Sequence, residues 1–249
     1  MTTLLVAHGT RNPHGVTMIG DLAAAMAGAL DESVRVAFVD VLGPTPEEVL
    51  RSLAQDERSD RGLGAVEPTI VIPAFLSSGF HVRVDVPAHV AASGHPHTTV
   101  TRALGPSPDL ARAMLDRLLE SGWRPGDHVV LAAAGTRDPQ AQGEVRAAAA
   151  MLSALVGHRV SIAFAAPCRD GSGYPAVADA VARARRSGAR RVAVASYLLA
   201  DGLFQERLGR AGGDAVAAPL GLHPAVVRLA VRRRRHALLA APASVGPRA

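Results

Sequence analysis

The chain repeats itself, and the repeat constrains its fold more than any other feature. His8-Gly9-Thr10-Arg11-Asn12-Pro13 follows the apolar run Leu4-Leu5-Val6-Ala7. Ala134-Gly135-Thr136-Arg137-Asp138-Pro139 follows Val129-Val130-Leu131-Ala132-Ala133, an offset of 126 residues (134 − 8). The same offset carries Val36-Ala37-Phe38-Val39-Asp40 onto Ile162-Ala163-Phe164-Ala165-Ala166. Strand and turn residues are kept, while His8 and Asp40 both become alanine. A duplicated α/β unit with one working site, in the N-terminal copy, is the expectation.

Short apolar runs alternate with longer helical patterns, the signature of βαβ units around a parallel sheet. Strands are expected over residues 3–7, 35–39, 69–72 and 98–102, and again over 128–133, 160–165, 191–196 and 215–218. Helices are expected over 17–30, 46–55, 86–92 and 109–121, then over 141–156, 175–187, 204–210 and 225–239. A second internal match closes each half: Leu104-Gly105-Pro106-Ser107-Pro108 against Leu220-Gly221-Leu222-His223-Pro224. The predicted class is α/β, two similar domains each with a small parallel sheet flanked by helices. The domains are read as 1–122 and 127–239, with Trp123 in the connecting segment and a tail over 240–249.

Hydrophobic residues make up 48% of the 249-residue chain but aromatics only 3%, so the cores must be built from Ala, Val and Leu. All 27 basic residues are arginine, which rules out a Schiff-base lysine and a lysine-containing P-loop. The net charge of +5 is read as compositional bias, since so few aromatics can stack on bases; no nucleic-acid partner is expected. Arg232–Arg235 are read as a solvated surface. A single cysteine, Cys168, excludes an internal disulfide and a cysteine-ligated cluster. With no signal-like N-terminus and no long apolar run, a cytoplasmic protein without a membrane partner is expected.

In open parallel sheets ligands bind at the carboxyl ends of the strands. His8 lies at that end of the first strand, Asp40 at that of the second, and His81 in the loop after the third. Two imidazoles and a carboxylate on one rim suit a borderline divalent ion such as Fe2+, Co2+, Ni2+ or Zn2+. The matching third-strand loop of the second half, Ser196-Tyr197-Leu198-Leu199-Ala200-Asp201-Gly202-Leu203-Phe204, has no histidine. Asp85 is read as a helix cap before Val86-Pro87. His95-Pro96-His97 is read as an exposed turn, and His223 replaces Ser107 at a position tolerant of change.

Leu5-Val6-Ala7-His8-Gly9-Thr10-Arg11 together with residues 73–87 resembles the sirohydrochlorin chelatase family, which is similar to the class II, metal-cofactor-free chelatases of tetrapyrrole synthesis. The likeness runs along nearly the whole chain, including a duplication with a degenerate second half. It implies insertion of Fe2+ or Co2+, as substrate metal, into a small tetrapyrrole with several carboxylates, and no tightly bound cofactor. Iron, for sirohaem, is favoured over the cobalt of cobalamin. His8 and His81 would bind the metal. Asp40 stands where the family has glutamate and, one methylene shorter, would act on the departing protons or through water. Arg11, Arg83 and Arg137 would bind substrate carboxylates, and Ser77, Ser78 and Gly79 would let the backbone approach a flat ligand. The alternatives are a cobaltochelatase and a non-catalytic metal or tetrapyrrole carrier. A histidine phosphatase is excluded, because Ala7 stands where that motif needs arginine.

Overall fold

In the computed structural model, residues 2–61, 67–168 and 172–240 are described. The expected tail therefore lies outside the described residues apart from Ala240. The first half runs β1 (Thr2–Ala7), α1 (Pro13–Leu30), β2 (Val34–Phe38), α2 (Pro46–Arg61), β3 (Thr69–Pro73), a π-helical turn (His81–Asp85), α3 (Val86–Ser93), β4 (Thr98–Val100) and α4 (Pro108–Glu120). The second runs β5 (His128–Ala133), α5 (Pro139–Val156), β6 (Ser161–Phe164), α6 (Val177–Arg186), β7 (Val192–Tyr197), α7 (Leu203–Gly209), β8 (Ala215–Val216) and α8 (Pro224–Ala240). Two parallel sheets result, in the orders β2-β1-β3-β4 and β6-β5-β7-β8. The order reverses between β1 and β3 and again between β5 and β7, so each sheet has its crevice there.

The strands are buried on both faces, which is why they read as continuous apolar runs. Leu4, Val6 and Val71 face α2 and α3 on one side, with Val49, Leu50 and Val86. Leu5, Ile70 and Ile72 face inward, into a core shared with Leu131, Ala193 and Ala195 of the second sheet. Ile19 and Met26 of α1, Met114 of α4, Leu152 of α5 and Leu229 of α8 fill the space between the sheets. Helix α6 covers the outer face of the second sheet through Val177, Ala180 and Val181.

The two halves exchange their last helices. Helix α4 packs on α5 and β7 of the second half, and α8 packs on α1 and β3 of the first. That exchange bears on the arginine run, of which Arg232 and Arg235 are exposed as expected, whereas Arg234 is not. Arg234 is buried and holds the carboxylate of Glu32 through both oxygens, while Arg232 pairs with Asp109 at 2.5 Å. Arg233 and Arg235 donate to the carbonyls of Leu104 and Ala29. The connecting segment is equally tied down, with Trp123 in the shared core and Asp127 paired to Arg191 at 3.2 Å.

The turn after the first strand of each half is built alike. Gly9 has φ +98° and Gly135 φ +121°, and an added Cβ would lie 2.1 Å from the Asp40 carbonyl oxygen and 2.2 Å from that of Ala166. Only glycine satisfies both the left-handed backbone and that approach. Asn12 and Asp138 then cap α1 and α5, each followed by proline in the first turn. His95 differs from its expected exposed turn: it is buried, with Nε2 3.2 Å from the Thr69 hydroxyl and Nδ1 3.1 Å from that of Thr98. His223 acts as a cap where Ser107 does, its Nδ1 accepting from Ala225 N at 3.2 Å. Among the described residues no helix is long and apolar enough to cross a membrane.

Candidate active site

His8 directly follows β1 and His81 opens the π-helical turn that follows β3. The two therefore flank the crevice where the strand order reverses, and their rings meet edge to face with centroids 4.6 Å apart. The ring nitrogens are assigned by their partners. His8 Nδ1 lies 3.0 Å from the Gly9 carbonyl oxygen, which can only accept, so Nδ1 carries the proton. His81 Nδ1 lies 2.5 Å from Asp85 Oδ2 and donates to that carboxylate in the same way. With Nδ1 so occupied, Nε2 is the nitrogen of each ring that offers a lone pair to a metal whenever the imidazole is neutral.

Asp85 is thus not the helix cap expected of it. Its backbone is already helical, at φ −69° and ψ −47°, and its side chain makes no cap bond. The i, i+4 spacing across a helical turn brings it to His81. Asp40 does not join the pair. It follows β2, on the far side of β1 from the crevice; its Oδ1 accepts from Val41 N at 2.7 Å, and it is absent from the cleft lining. Among the described residues no group of three or more His, Cys, Asp or Glu side chains is arranged to hold a metal. The arrangement is a histidine pair, with a carboxylate behind one member.

The pair opens into a cleft of about 930 Å³ between the two halves. Of the expected substrate contacts, Arg11, Ser77 and Gly79 line it, whereas Ser78, Arg83 and Arg137 do not. Arg11 is exposed. Arg83 is spent across the halves, on the Asp138 carboxylate and on Gln140 Oε1 at 2.8 Å. Ser78 N donates to Glu144 Oε2 at 2.5 Å. The cleft also has apolar lips that sequence reasoning missed, Val41 and Phe80 on one side and Leu203 and Phe204 on the other. Their signal is faint: an apolar residue after the glycine of each third-strand loop, Gly79-Phe80 and Gly202-Leu203. Asp201 and Glu206 are the cleft's only acidic lining residues among those described.

The second half holds the His81 segment from behind. Tyr197, on β7, donates its hydroxyl to the Leu76 carbonyl at 2.7 Å. Burial, and then the charge of Glu144, push that phenol well above its ordinary range, so it is a fixed neutral donor. Gly105 lets this contact form, since an added Cβ would lie 2.5 Å from the Tyr197 hydroxyl and 2.2 Å from the Leu76 oxygen.

The CbiX family matches residues 2–121 and 128–237, each half separately. A sirohydrochlorin cobaltochelatase of Methanothermobacter thermautotrophicus is 31% identical over 135 residues, which cover 46% of this chain and 88% of that protein. Under half of this chain thus spans nearly all of the relative, as a duplication requires. Of solved structures, SirB from Bacillus subtilis with Fe3+ matches at TM-score 0.76 and 20% identity, over 95% of this chain and 94% of that one. CbiX, described as the terminal enzyme for siroheme biosynthesis in denitrifying bacteria, matches at TM-score 0.65 and 21% identity, over 98% and 100% of the two chains. At these identities both show the common fold.

Proposed function

The chain belongs to the CbiX family, and from that premise we propose that it is a sirohydrochlorin chelatase, inserting a divalent metal ion into sirohydrochlorin. The observation that carries this reading is the His8–His81 pair, its ring centroids 4.6 Å apart, lining a cleft large enough for a flat ligand.

The residues supply a balanced exchange. The two Nε2 atoms take the incoming dication, with Asp201 and Glu206 lining the same cleft to draw a cation in. As the ion passes to the macrocycle nitrogens, two pyrrole protons must leave. The two Nε2 atoms released by the metal are then free to accept them, one each, as general bases. Net charge in the site is unchanged, since a dication leaves the imidazoles as two protons arrive. The proton removal that sequence reasoning gave to Asp40 falls to the histidines, because Asp40 faces Val41 N instead. Val41, Phe80, Leu203 and Phe204 offer apolar cover to the faces of the ring, and Arg11 a bidentate partner for a peripheral carboxylate.

Two imidazoles accept Fe2+ and Co2+ alike. Iron is the ion expected from the family resemblance; the name of the Methanothermobacter relative, a cobaltochelatase, favours cobalt. Both ions belong in one experiment: anaerobic insertion followed by macrocycle absorbance, with wild type, His8→Ala and His81→Ala. Insertion well above the enzyme-free rate, lost in both variants, supports the reading, and the ratio of the two rates names the metal. Binding of sirohydrochlorin with no acceleration would overturn it in favour of a carrier.

A further inference from the structure

We infer that Asp85 is a positioning residue for His81, holding the ring as an Nδ1–H tautomer so that Nε2 is presented to the metal. The inference rests on the proposed use of His81 as a metal donor. Its grounds lie in local geometry. His81 and Asp85 are the first and last residues of a π-helical turn, closed by Val86 N–H on the His81 carbonyl in the i→i−5 pattern. Such turns are rare and concentrate at functional sites. Pro87, next in the chain, has no N–H to give to an ordinary i→i−4 bond at this point.

The Asp85 carboxylate has no competing structural duty. The residue occupies a helix start without capping it, and among the described residues its side chain's one hydrogen-bonding partner is His81 Nδ1, at 2.5 Å. The ring is also bracketed by Phe75, whose centroid is 6.2 Å away in a near-parallel arrangement, and by Phe80 at 6.3 Å. The aromatic neighbours limit where the ring plane can go. They cannot choose between two orientations related by a flip, because their contacts are apolar on both sides. The carboxylate can, since it accepts from whichever nitrogen faces it. A histidine ligand whose second nitrogen donates to a carboxylate is fixed in both tautomer and direction.

His8 achieves the same end by another route, giving its Nδ1 proton to a backbone carbonyl. The two donors therefore differ in how side-chain substitution can reach them. Only the His81 orientation is open to mutation of its partner.

The test compares Asp85→Asn and Asp85→Glu with wild type and with His81→Ala. Long-range 1H–15N correlation of the imidazole is read at about pH 8, above the ordinary histidine pKa. Wild type and Asp85→Glu should show His81 protonated on Nδ1. Asp85→Asn should shift it toward the Nε2–H form, because the amide NH2 can donate to Nδ1. Co2+ alone, titrated by its ligand-field absorption, should bind Asp85→Asn about 10–100-fold more weakly, the usual loss for such a partner. In turnover, KM for the metal should rise while KM for the tetrapyrrole stays. An Asp85→Asn protein that keeps the Nδ1–H tautomer and wild-type Co2+ affinity overturns the inference. If His81→Ala also keeps Co2+ affinity and insertion, the assignment of His81 fails with it, so the two failures are told apart.

Discussion

Replacing Tyr197 with phenylalanine asks whether the second half, which brings no histidine to the cleft lining, positions the site. The ring stays, so the apolar contacts of a residue 2% exposed are retained and only the hydroxyl is lost. That hydroxyl is the donor to Leu76 O, with the Gly105 backbone packed close beside it. Leu76 is half-buried, so its carbonyl would lose one hydrogen bond, a loss of about 1 kcal/mol. In a chain of this length that is a fall in Tm of roughly 2–4 °C. Leu76 lies five residues before His81, so the loosened segment should also weaken Co2+ binding while the fold remains. Scanning calorimetry and the Co2+ titration read the two effects separately. A Tm within 1 °C of wild type together with unchanged Co2+ affinity would refute the reasoning, showing that the Tyr197–Leu76 bond carries neither stability nor position.

Asp40→Asn should leave insertion within about threefold of wild type, the range of a surface change, because the amide oxygen can still accept from Val41 N and the residue lies outside the cleft lining; steady-state rates check it. Arg234→Ala should cost about 1–3 kcal/mol in urea unfolding, less than a fully buried pair, because Glu32 is 28% exposed and regains some hydration. His128 is held below its ordinary value of 6.5 by burial and then by His158. The unfolded chain therefore binds more protons as pH falls below 6.5, so stability is full above that pH and declines beneath it until the folded imidazole also protonates. His128→Gln should flatten that part of the pH–Tm curve. Gly9→Ala should unfold the site turn or the protein, since its Cβ would meet the Asp40 oxygen at 2.1 Å in a left-handed backbone; circular dichroism and Co2+ binding report which.

Much of this was legible in the chain itself. The repeat and the alternation of apolar runs with helical periods place the strands and α-helices of the described residues in the right order, with α1 starting four residues earlier and α2 ending six residues later than expected, because parallel strands buried on both faces leave an uninterrupted apolar signature. His8 and His81 stand out because their counterparts in the second half are not histidine, and strand order carries both to one crevice. Even the Asp85 partner was present as a His-x-x-x-Asp spacing, obscured by a cap-like setting before Val86-Pro87.

What only the tertiary structure decided is which way side chains face and which half each element serves. Asp40 ends the strand beside that of His8, yet its carboxylate turns to its own loop, a choice set by one short backbone bond to Val41. Arg234 looks as solvated as its neighbours until α8 is seen to cross to the first half, where Glu32 takes it. Arg83 resembles a substrate contact until Asp138 and Gln140 approach from the second half. Periodicity and motif are local properties of a chain. A partner more than fifty residues away is chosen by how helices pack between sheets, and that choice leaves no local mark.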